Sequence, residues 1–205
     1  MRSILLPAGI VAAVVALIGA FAVGRLSAQE PTASCRMCPS TYISAAEIAE
    51  FTALGRADLS LIDQQMRALD IGKSQVEVAL VHRGKLDKPG ARSVAEHDLV
   101  SEVYYILSGS GTNRTGPDLV DPKRRPATDR TVRLLNGPGG DAADIRNAAE
   151  HELKAGDVLV IPAGTGHQFT KIDDHIRYLM VRVDPDKVTP LKDEAASRAD
   201  LAGKR

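Results

Sequence analysis

The chain of 205 residues is 44% hydrophobic but only 3% aromatic, with no tryptophan. That supports one packed domain rather than global disorder, with a core resting on Val, Ile, Leu and Ala. Its 26 basic and 26 acidic side chains cancel, so no concentrated positive face argues for nucleic acid as a partner.

At the N-terminus Arg2 precedes an apolar run from Ile4 to Val23, which Arg25 closes; Leu26-Ser27-Ala28-Gln29 follows. A basic start, an apolar stretch and a small residue before the cut predict a secretory signal over residues 1–28. The run is also long enough, at ~30 Å of helix, to cross a bilayer. A retained anchor, tethering the protein to a membrane through residues 4–23, is the alternative. Either way the rest of the chain is exported, to the periplasm, the medium or the outer face of a membrane.

Residues 29–65 read as a linker with a short helix. Cys35 and Cys38, the only cysteines, suit a small local disulfide in an oxidising compartment; no βαβ pattern supports a redox motif. Ser44 is a helix N-cap, Glu47 completes a capping box, and Ile43 with Ile48 makes a hydrophobic staple. Ile48, Phe51 and Leu54 form the apolar side, and Gly55 is placed to end the helix.

From Met66 the period changes to two. Met66–Ile71 and Val76–Arg83 flank the turn Gly72-Lys73-Ser74, which predicts a hairpin. Val76, Val78, Leu80 and His82 share its apolar and therefore inward face. Further strands are predicted at Val103–Leu107, Thr131–Leu135, Ala149–Leu153, Val158–Ile161, Gln168–Ile172 and Ile176–Val183, with an exposed loop from Asn113 to Arg130. Many short strands without interleaved helices predict an all-β barrel over 66–183, followed by a charged tail, 184–205, that covers an edge or frays.

Two stretches carry chemistry. Gly156 to His167 is a Gly-Asp turn, an apolar strand, a Pro-x-Gly turn and a histidine opening a new strand, with His167 and Phe169 on one face. His97 and Glu102 lie five residues apart, which on one continuous strand would put them on opposite faces. They converge only if the chain turns between them, near Asp98. Glu102 shares its face with Tyr104 and Ile106, and a carboxylate on an apolar face is costly unless paired or bound to metal.

These residues resemble the cupin superfamily. Its second motif, Gly-x5-Pro-x-Gly-x2-His, is matched from Gly156 to His167. The first, His-x-His, three or four residues, Glu, six residues, Gly, is matched at His97, Glu102 and Gly109. The resemblance implies a single cupin barrel (a double-stranded β-helix or jelly roll) and one divalent metal ion on His97, Glu102 and His167. Ala95 stands where the family has its first histidine, Gly90 is one place off the upstream glycine, and Lys171 replaces the usual closing Asn. Two His and one carboxylate suit Fe, with Mn, Zn or Ni also compatible, and leave open coordination positions. His82 is the candidate fourth ligand, and Tyr104 the candidate catalytic group. The expected function is a metal-dependent, oxygenase-like enzyme (a dioxygenase or isomerase) on a small-molecule substrate. The alternative is a non-catalytic barrel that binds or senses a small ligand, and a homodimer is expected because cupins often exchange edge strands.

Overall fold

The computed structural model describes residues 33–35, 38–57 and 62–203. The chain divides into two units, Met1–Arg36 and Met37–Arg205, and the second carries the barrel and the site. The expected signal or anchor, residues 1–28, lies outside the described residues. Among the described residues no helix is long and apolar enough to cross a membrane. Neither Cys35 nor Cys38 is a free thiol.

Ser44 caps helix α1 (Ala45–Ala57): its Oγ accepts from the Glu47 N–H at 3.1 Å. The capping box is only half formed. The Glu47 carboxylate turns instead to Arg67, with Oε1 2.8 Å from Nη1, a pairing in which both side chains are buried. The helix also runs two residues past Gly55, which is buried. Phe51 packs with Met66 and Leu80, joined by Ile43, Ile48 and Leu54.

Strands β1 (Asp63–Asp70) and β2 (Gln75–Arg83) form the predicted hairpin, with a bulge between Gln65 and Arg67. Then come β3 (Val94–His97), β4 (Ser101–Gly116), the short β5 (Leu119–Val120) and β6 (Lys123–Arg124), β7 (Gly139–Ala142) and β8 (Asp144–Ile145). The series ends with β9 (Ala149–Lys154), β10 (Val158–Ile161), β11 (Gly166–Lys171) and β12 (Ile176–Asp184). All pairings are antiparallel, and β4 belongs to both faces of the barrel. Its first half pairs with β12 and β10, its second half with β11 and β9. The strand turns from one sheet to the other at Gly109, whose φ of 74° only glycine adopts without strain. Outward from β4 the sheets run through β12 and β2 to β1, and through β11, β3 and β7 to β6. This is the jelly-roll arrangement of a cupin barrel. Lys192 closes the β1 edge by exchanging backbone hydrogen bonds with Ala68, and helix α2 (Glu194–Gly203) follows.

Two sequence expectations are corrected. Thr131–Leu135 is helical, ending in a π-helical turn, Val132–Asn136, although its β-branched start reads as a strand. The loop expected from Asn113 begins later, because β4 continues to Gly116 and Asn113 is buried between β9 and β11. The barrel core comprises Tyr104, Ile106, Leu159, Ile161, Phe169, Tyr178 and Met180 with Ala79 and Val81.

Candidate metal centre

Three strands deliver the central residues. β3 ends at His97, opposite Gly139 of β7. The chain bends at Asp98 and Leu99, and β4 restarts at Ser101. Glu102 therefore faces inward between Ile161 of β10 and Arg182 of β12. His167, second residue of β11, stands opposite Ala95 and Thr115. One donor atom from each of His97, Glu102 and His167 lies within 4.8 Å of the others, and all three residues are buried.

His97 Nε2 is 3.4 Å from Glu102 Oε1, and His167 Nε2 is 3.5 Å from Glu102 Oε2. His167 Nδ1 lies 3.2 Å from the Thr165 carbonyl oxygen. A carbonyl only accepts, so Nδ1 carries the proton and the bare Nε2 lone pair faces the carboxylate. This backbone contact fixes tautomer and ring orientation in the way that metal-ligating histidines require. His97 Nε2 is also 3.0 Å from the side-chain amide of Asn136, in the π-helical turn.

Around the triad lies a charged network. Tyr104 donates its hydroxyl to Glu102 Oε2 at 2.7 Å, and Arg182 Nε donates to Glu102 Oε1 at 3.2 Å. Arg182 also pairs with Asp63 and, at 3.5 Å, with Glu77. Burial alone would raise the Glu102 carboxyl; the His97 and His167 rings and the Arg182 guanidinium outweigh it and hold the group well below its ordinary value. Burial pushes His167 down to about 4, although Glu102 opposes this. Burial and the adjacent Glu102 charge push the Tyr104 phenol well up, so it stays a donor. An ionised carboxylate beside a neutral imidazole is the protonation state that a divalent metal requires. By donor chemistry and tautomer, the group fits one.

His97, Glu102 and His167 line a cavity of about 170 Å³, and Tyr104 faces it as expected. His82 does not. The hairpin's inward face is the other one: Ala79 and Val81 join the barrel core, while Leu80 packs under helix α1. His82 stacks on His175 at 5.8 Å, outside the group of potential ligands. The apolarity of the other face of β2 points it inward, but the barrel interior accepts Glu77 and Arg83 because Arg182 and Tyr178 partner them there. Lys171 is exposed and pairs with Asp173 at 2.9 Å.

Sequence reasoning missed Asn136, Arg83, Tyr178 and Arg182. For the last two a signal existed, since Tyr178, Met180 and Arg182 alternate on one face of β12. Asn136 carried none, because its segment reads as a strand.

A model of the AraC-like ligand-binding domain family matches residues 146–202. No curated protein gives a significant match. Solved structures similar to the chain include a cupin protein from Bacteroides fragilis, 22% identical over 57% of this chain and 72% of that one, with a TM-score of 0.30. A Bacillus halodurans protein is 15% identical, covering 80% of this chain and 97% of its own, with a TM-score of 0.38. The Cnp3 cupin domain of Schizosaccharomyces pombe is 13% identical, covering 62% and 70%, with a TM-score of 0.34.

Proposed function

We propose that the chain, with its cupin-type barrel and motif histidines, is an exported protein that presents one divalent metal ion to a small molecule. His97, Glu102 and His167 hold the ion. The observation that carries this reading is the commitment of His167 Nδ1 to the Thr165 carbonyl, which leaves Nε2 facing an ionised, buried Glu102. A bound ion there supplies a polarising centre with coordination positions left for a ligand. Fe suits two imidazoles and a carboxylate, and Mn, Zn and Ni share that preference.

The chain's own side chains have separable tasks. Arg182 and Tyr104 fix the two oxygens of Glu102. Asn136, in the turn over the barrel, contacts His97 Nε2 and would have to release that atom to the ion. Tyr104 is the candidate group for orienting or protonating a ligand, because among the described residues its hydroxyl is the one phenol bonded to a triad residue. An oxygenase-like reaction is the first reading. Capture of a small ligand without turnover is the second, supported by the ligand-binding family match over residues 146–202, from β9 into helix α2. Export rests on the basic-apolar segment Arg2–Val23, and recovery of full-length soluble protein from the cytoplasm of the native host would contradict it.

Protein purified without a histidine tag should take up one ion per chain on dialysis against Fe(II), Mn(II), Zn(II) or Ni(II). Glu102→Gln, close in shape, should lose it. Absence of stoichiometric uptake of all four ions by the wild type would sink the proposal. Analysis of the captured small molecule before and after incubation then separates turnover from binding.

A further inference from the structure

A second cavity, of about 160 Å³, adjoins the triad cavity; Arg83, Ala95, Tyr104 and His167 line both. Ala95 stands where an imidazole would otherwise fill the boundary, so the departure from the family motif leaves this boundary open. No Asp or Glu lines the second cavity. Its polar wall instead converges hydrogen-bond donors.

Arg83, at the end of β2, is half-buried and pairs with no carboxylate among the described residues. The other two guanidiniums at the triad differ: Arg125 binds Asp141 at 3.0 Å, and Arg182 is surrounded by Asp63, Glu77 and Glu102. Arg83 is nonetheless held in place. Its Nε donates to the Tyr178 hydroxyl at 3.2 Å, and its guanidinium sits 5.4 Å over the Phe169 ring. That leaves the terminal nitrogens without an acceptor among the described residues. Tyr178 itself lines the triad cavity and serves here to hold Arg83 in place. Asn113, on the second half of β4, is 1% exposed, and neither its Oδ1 nor its Nδ2 has a partner. Buried amides are nearly always satisfied, and one left with its whole capacity at a cavity wall points to a missing partner.

We propose that this second cavity is a carboxylate-recognition subsite, in which Arg83 grips the acid group of a small ligand, Asn113 adds a donor, and the rest of the molecule extends past Ala95 toward the triad. A planar fork with a single positive charge matches a carboxylate, and the cavity has no second cation to balance a phosphate dianion. The proposal deepens the metal reading by naming the substrate class, and it can fail separately from it.

The test is calorimetric titration of metal-free protein with acetate, glycolate and malonate, against acetamide and inorganic phosphate at matched pH and ionic strength. The metal-free state removes direct ligation as an explanation. At least one carboxylate should bind well ahead of acetamide and phosphate. Arg83→Gln should weaken it tenfold or more while metal affinity stays within about twofold. Asn113→Leu, which keeps the volume without the amide, should weaken it several-fold and gives a second readout if Arg83→Gln folds poorly. Equal binding of acetamide or phosphate, unchanged affinity in Arg83→Gln, or no carboxylate binding in a protein that takes up metal would overturn the subsite. Arg83-dependent carboxylate binding in a chain that binds no metal would leave the subsite standing and remove the metal reading.

Discussion

Replacing Arg182 with Met tests whether the charged interior of the barrel is organised around that one guanidinium. Arg182 is 1% exposed and touches Glu102 at 3.2 Å, Glu77 at 3.5 Å and Asp63. Glu77 and Glu102 are themselves fully enclosed, so neither can fall back on water. Removing one member of a buried ion pair costs about 3–5 kcal/mol, because the remaining charge stays desolvated. For a domain of this size that is about 6–20 °C in Tm. Burial already raises the Glu77 carboxyl, with Arg182 opposing it. Without Arg182 the carboxyl takes up a proton, so the loss should be largest at pH 7 and smaller at pH 5. Urea unfolding of the metal-free protein, followed by circular dichroism at both values, measures this. Glu77→Gln on the Arg182→Met background should restore part of the loss by removing a stranded charge. A loss under about 1 kcal/mol at pH 7, or no recovery in the double variant, would refute the reasoning.

Gly109→Ala should destabilise on the order of 3 kcal/mol or more by thermal unfolding, since φ is 74° and the new Cβ would lie 1.9 Å from the His175 carbonyl oxygen. A stable variant with an unchanged Tm would mean that β4 does not turn there. Metal-free protein should lose stability on acidification. His167 titrates near 4 when folded and near 6.5 when unfolded, so the unfolded chain binds the extra proton between them. Stability is full above about pH 6.5 and falls by up to about 3 kcal/mol toward pH 4; a flat Tm across that range contradicts this. Ala95→His, opposite His167, should tighten metal binding at least tenfold in chelator competition and narrow the way to the second cavity, weakening carboxylate binding. Unchanged affinity for both ligands would show that position 95 does not face the site.

The parts of the fold that could be read from sequence were those with a single periodicity and hard punctuation. Gly156-Asp157, Val158–Ile161 and Pro162-Ala163-Gly164 sit as turn, strand β10 and turn, and the odd spacing of His97 and Glu102 does correspond to a bend at Asp98. Glu102, Tyr104 and Ile106 share the inward face that their alternation implies. What failed were inferences of the inside from polarity. β2 has an apolar face and a mixed one, and the mixed one faces the barrel, because long-range partners on β12 neutralise it. No local pattern in Gln75–Arg83 encodes Arg182, 99 residues beyond Arg83 on a neighbouring strand. The π-helical turn at Val132–Asn136 was hidden in the same way. The β-branched Thr131 and Val132 favour a strand locally, and tertiary contacts, including the Asn136–His97 hydrogen bond, override them.

Anomalous diffraction from crystals of tag-free protein reconstituted with Fe(II), Mn(II), Zn(II) or Ni(II), collected at the absorption edge of the ion taken up, tests the central claim most directly. One peak should appear in the barrel, ~2.0–2.3 Å from Nε2 of His97, Nε2 of His167 and a carboxylate oxygen of Glu102. A peak held by other residues, or none in a protein whose triad is intact and ordered, would contradict it.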